Sequence, residues 1–134
     1  MEKEFLNGLK KNCDIHGIDI DIICDGEIQL IYNGTIFDVQ FYEIDGKLDV
    51  PMSIVCMTIK GKEFNWETYP FVDIDYSDCY NTVDEAIVEV IDIVLNSDDR
   101  RKVLKVINSF ESYIEDMKKD DLEVLLSYIR NNYD

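Results

Sequence analysis

The sequence predicts an α+β fold: a short N-terminal helix, an antiparallel sheet of four to six strands laid out as a meander, and about three C-terminal helices packed on one of its faces. Three observations carry this expectation. Apolar residues recur at helical spacing as far as Cys13, switch to a period of two from Ile18, and return to helical spacing after Thr82. The period-two stretch is cut by Asp25-Gly26, Asn33-Gly34 and Asp45-Gly46, turn dipeptides so short that the strands they join must run antiparallel. A chain of 134 residues has the size of one domain, here 1–134, divided into a helix over 1–16, a sheet over 17–78 and helices over 79–134.

Phe5, Leu6, Leu9 and Cys13 set the apolar stripe of the first helix, which Gly8 weakens and His16-Gly17 ends. Ile18, Ile20 and Ile22 then alternate with Asp19 and Asp21. Ile28, Leu30 and Tyr32 follow the first turn, and Phe37, Val39 and Phe41 follow the second, alternating with Asp38 and Gln40. Ser53 to Lys60 is a fourth strand, and Phe64 to Tyr69 and Phe71 to Tyr76 supply a fifth and sixth with Pro70 between them. Thr82-Val83-Asp84-Glu85 reads as a capping box, in which threonine hydroxyl and glutamate carboxylate each satisfy the other's amide. The helix it opens buries Ile87, Val90, Ile91, Val94 and Leu95. Ser97 is placed to cap a second helix carrying Val103, Ile107, Phe110, Ile114 and Met117. Asp120 or Asp121 is placed to cap a third with Leu122, Leu125, Leu126 and Ile129.

Charge is the most informative property. Asp and Glu number 29 against 13 Lys and Arg, a formal charge of −16. Residues 1–16 balance, whereas 17–78 hold thirteen acids against three lysines, Lys47, Lys60 and Lys62. If the isoleucines, Phe37 and Val39 face the helices, then Asp19, Asp21, Asp38, Asp73 and Asp75 fall on the opposite face of the sheet. Residues two apart on a strand are roughly 6.5–7 Å apart and strands about 4.8 Å apart, a pitch like the charge spacing of a nucleic-acid backbone. Polar residues are usual on the wet face of an antiparallel sheet and protect its edges, but that role does not require one sign of charge. Trp66, between Asn65 and Glu67, is the aromatic residue expected to be exposed among Trp66, Tyr69, Phe71, Tyr76 and Tyr80.

Chemistry-bearing motifs fail one by one. Asp73, Asp75, Ser77 and Asp84 have calcium-loop spacing, but Asp78 stands where a glycine is needed and the last ligand is Asp rather than Glu. Cys13 and His16 approach zinc spacing without a second pair, and His16 is the lone histidine. The four cysteines form no Cys-x-x-Cys, have acidic neighbours that disfavour the thiolate, and read mostly as buried reduced thiols. No glycine-rich phosphate loop occurs, and the basic cluster Arg100-Arg101-Lys102 with Lys105 sits beside Asp98 and Asp99. No cofactor, metal or catalytic residue is therefore expected.

Such acidity opposes direct contact with nucleic acid or anionic membrane and favours a basic protein partner. The absence of a secretory signal or a long apolar run places the expected location in the cytoplasm. In size, acidity and want of catalytic residues the chain resembles phage-encoded anti-defence proteins, the anti-CRISPR and antirestriction DNA mimics; the likeness is one of composition and assigns no residue a role. The expectation is a non-enzymatic inhibitor that occludes the nucleic-acid-binding surface of a processing enzyme through Asp19, Asp21, Asp38, Trp66, Asp73 and Asp75. Alternatives are an immunity protein or antitoxin against a basic toxin, and a small enzyme or ligand-binding domain without a recognisable motif.

Overall fold

Phe5, Leu9 and Cys13 lie on one stripe and are fully buried in the first helix, α1 (Glu2–His16). Gly17 ends it in the left-handed conformation, its amide donating back to the helix. Gly8 has a packing reason. A Cβ there would overlap Ile87 Cδ1, so its absence lets α1 approach α2 (Val83–Leu95) closely. The Thr82 hydroxyl caps α2 by accepting from the Glu85 amide at 3.2 Å, one of the two bonds of the expected box. Ala86, Ile87, Val90, Ile91 and Val94 turn inward from it.

The computed structural model describes residues 1–59, 61–69, 74–96 and 119–133. The strands are β1 (Asp19–Cys24), β2 (Glu27–Tyr32), β3 (Thr35–Gln40), β4 (Tyr42–Ile44), β5 (Lys47–Val50), β6 (Met52–Ile59), β7 (Lys62–Asn65), β8 (Ile74–Asp75) and β9 (Asp78–Tyr80), and a last helix, α3, covers Lys119–Tyr133. The α+β class and the antiparallel pairing follow the sequence pattern. Asp120 and Asp121 lie within the first turn of α3 and not at its cap. The helix expected over Val103 to Met117 lies outside the described residues, as do Asp73, Phe71 and the Arg100 cluster.

The expected meander is the large antiparallel sheet of six strands, and a second, smaller sheet is added to it. β1, β2, β3, β6 and β7 follow one another across a six-stranded sheet, with β8 also paired to β6, while β4, β5 and β9 form a second sheet of three strands. The chain leaves the first sheet at Phe41, makes the β4–β5 hairpin, and returns at Pro51 so that β6 lies beside β3. The expected fifth strand is shorter, with β7 ending at Asn65, and β8 (Ile74–Asp75) falls within the expected sixth, whose first three residues are outside the described ones.

One cluster of buried residues joins the layers. Ile28, Leu30, Phe37, Val39, Ile54, Met57, Phe64 and Ile74 line the inner face of the large sheet, Leu48, Val50 and Tyr80 come from the small one, and the stripes of α1 and α2 complete it. Leu122 and Val124 of α3 pack at its margin, and Tyr69 donates to Asp121 Oδ2 at 2.8 Å. Among the described residues, no helix is long and apolar enough to cross a membrane.

Candidate functional site

Because side chains alternate along a strand, burying Phe37, Val39, Leu30 and Ile54 sends their neighbours to the face turned away from α1 and α2. Pairing then aligns those neighbours across strands. Asp21 stands opposite Gln29, Gln29 opposite Asp38, Asp38 opposite Ser53, and Ser53 opposite Asp75. Carboxylates thus alternate with neutral polar groups across β1, β2, β3, β6 and β8.

A parallel row runs beside it. Asp19 is opposite Ile31, Ile31 opposite Ile36, Ile36 opposite Cys56, and Cys56 opposite Asn65. Ile31, Ile36 and Cys56 are half-buried, so this row is apolar in its middle. A bulge at Val55 lies where it crosses β6; the row ends at Asn65, and the next residue, the half-exposed Trp66, donates its amide to the Val55 carbonyl at 3.1 Å. On the other side of the acidic row Gln40 donates to Glu27 at 3.4 Å. By the same alternation Glu27 and Glu63 share the face with Asp19, Asp21, Asp38 and Asp75. Lys62, the one cation in the described strands of this sheet, is in phase with buried Phe64 and so belongs to the opposite face.

Local geometry fixes two of the acids. Asp75 Oδ1 accepts from both the amide and the hydroxyl of Ser77, and Ser77 Oγ in turn accepts from the Met52 amide at 3.2 Å. That pins the short strand β8 to β6. Asp38 is half-buried, and burial, reinforced by the charge of Glu27, raises its carboxyl above the usual carboxylate value. Asp38, Gln40, Ser53, Asp75 and Ser77 line a shallow pocket of about 290 Å³.

Successive acids of the row are two strands apart, about 9.5 Å. At that backbone spacing each carboxylate can meet a separate arginine or lysine of one partner. Among the described residues, no three His, Cys, Asp or Glu side chains are gathered to hold a metal.

Of the residues singled out from sequence, Asp19, Asp21, Asp38 and Asp75 lie on one face; Trp66 directly follows Asn65, the last residue of the neighbouring row, and is half-exposed; Asp73 is outside the described residues. Sequence reading passed over Gln29, Ser53, Glu27 and Glu63. Gln29 and Glu27 follow from the local β1–β2 and β2–β3 hairpins, whereas Ser53 and Glu63 join this face only because β6 pairs with β3, which no local pattern declares. The cysteines also differ from expectation. Cys13 alone is fully buried, its thiol pushed up to about 11 by that burial, whereas Cys56 is half-buried and Cys24 and Cys79 are exposed. Comparison with models of protein families, with curated proteins and with solved structures returns no match for the chain.

Proposed function

We propose that the protein is a non-enzymatic inhibitor that lays the acidic face of its large sheet into the basic nucleic-acid groove of a processing enzyme. The observation that carries this reading is the aligned row Asp21, Gln29, Asp38, Ser53, Asp75, extended by Asp19, on a face where the described strands contribute no cation. A groove built for phosphates presents arginines and lysines at intervals of several ångströms, and a rigid sheet offers carboxylates at comparable intervals without the entropy loss of ordering flexible side chains. The half-buried Ile31, Ile36 and Cys56, with Trp66 beyond them, supply apolar area beside the charge, as hot spots require.

The test compares wild-type chain with the Asp19→Lys, Asp21→Lys, Asp38→Lys variant in capture of partners from host lysate. Expected is a nucleic-acid-binding protein that rising salt and duplex DNA both release, and that the correctly folded variant does not retain. Capture that DNA cannot displace, or equal capture by the variant, would overturn the reading.

A further inference from the structure

Strand β1 ends the large sheet, and among the described residues no strand pairs with its outer edge. Five of its six residues are exposed. Such an edge leaves alternate backbone N–H and C=O groups pointing outward, a template on which another extended chain can add. A bulge between Ile22 and Cys24 limits regular pairing to Asp19–Ile22.

The two sides of this edge differ in chemistry. On the acidic face Asp19 and Asp21 stand exposed at the very margin of the sheet. On the opposite side Ile22 is half-exposed and borders a pocket of about 380 Å³ to which Leu6 and Phe41 also contribute. Side chains of an added strand would fall alternately on these two sides, beside the aspartates and over the apolar pocket. A second copy of this chain suits the edge poorly, because β1 against β1 would bring four aspartates onto one seam, and like charges across a strand pair repel.

We propose that the β1 edge pairs with an extended segment of a basic protein partner in which lysine or arginine alternates with apolar residues. Its cations lie against Asp19 and Asp21, and one apolar side chain enters the pocket formed by Leu6, Ile22 and Phe41. This rests on the reading of the partner as basic, and adds to it a backbone-paired mode of binding and a sequence pattern for the segment.

The experiment titrates isotope-labelled full chain with a short peptide alternating lysine and valine, and with the same peptide N-methylated at alternate residues. Chemical shifts and amide hydrogen exchange are followed. The expected result is slowed exchange at β1 amides with the first peptide and none with the second, which keeps the charges but loses the donors. Ile22→Lys, an inward charge on an edge strand, should weaken the first peptide by about tenfold or more. Equal binding of both peptides, with shifts centred on Asp38, Ser53 and Asp75 and none in β1 exchange, would overturn edge pairing and leave the acidic-face reading standing. No binding of either peptide at low salt would overturn both. Protection of β1 that grows with protein concentration in the absence of peptide would give the edge to a second copy and overturn the proposal.

Discussion

Phe37 and Asp38 are neighbours in β3 with opposite energetic roles. Phe37 is fully buried, its ring centroid 6.5 Å from that of Tyr76, so Phe37→Ala should cost about 3–5 kcal/mol by lost burial and the cavity left behind. Asp38 carries a carboxyl whose proton affinity is raised by burial and by Glu27. A raised folded-state value means that the group favours the folded state when protonated, below the unfolded value near 3.8. That contribution is lost as pH rises through the folded value. At neutral pH the ionised side chain is therefore a net cost, reduced by solvent screening because the group is partly exposed, and Asp38→Asn should leave the urea midpoint unchanged or slightly raised while weakening partner binding. Urea melts at neutral pH together with a binding isotherm check both. A less stable Asn variant would mean that the carboxylate has a structural partner that outweighs its desolvation. The same strand thus supplies the fold with one side chain and the candidate surface with the next.

Turns show how much of the element scale the sequence contains. At Asn33-Gly34 both residues have positive φ, 50° and 73°, and at Asp45-Gly46 they are 50° and 77°, the two-residue hairpin turn that these dipeptides favour. Gly34 is constrained twice. Its φ disfavours any side chain, and an added Cβ would lie 3.1 Å from the Thr58 backbone oxygen, in the strand that flanks β3. Gly34→Ala should therefore destabilise by about 1–2 kcal/mol from backbone conformation alone, with some increment from the close contact, read as a lower urea midpoint; an unchanged midpoint would show that the turn can relax. Local chemistry of this kind made α1, the start of α2, and β1 to β3 legible. The second sheet was not. β4 is three residues, all exposed, with no alternation to announce it, and β5 joins β9 across some thirty intervening residues. Where β6 lands is equally non-local, and it is this landing beside β3 that extends the row from Asp38 to Ser53 and Asp75. Period two identified the acids of the face. Ser53, between Asp38 and Asp75 in the row, required the tertiary pairing.

At the scale of the whole molecule, charge acts on stability and on binding with opposite signs. A net charge of −16 makes the folded state repel itself, since folding brings acids far apart in sequence, such as Asp21 and Asp38, closer than they are in the unfolded chain. Ion pairs to offset this are sparse among the described residues, where the N-terminal amine approaches Glu43 at 3.7 Å. Salt shortens the Debye length from about 10 Å at 0.1 M to about 3 Å at 1 M. That distance falls from roughly the separation of successive acids in the row to well below it, so added salt removes much of the repulsion and leaves the buried core untouched. Thermal unfolding in rising sodium chloride should move upward by several degrees, roughly the effect of 1 kcal/mol on a chain of this size. Over the same range an acidic face seated in a basic groove should lose affinity, because its cross-interface attractions are screened in the same way. A falling midpoint would show that attractive ion pairs dominate the electrostatics of the fold. An affinity that holds or rises with salt, in a protein whose midpoint rises as expected, would move the binding energy from the acidic row to Ile31, Ile36 and Trp66 beside it.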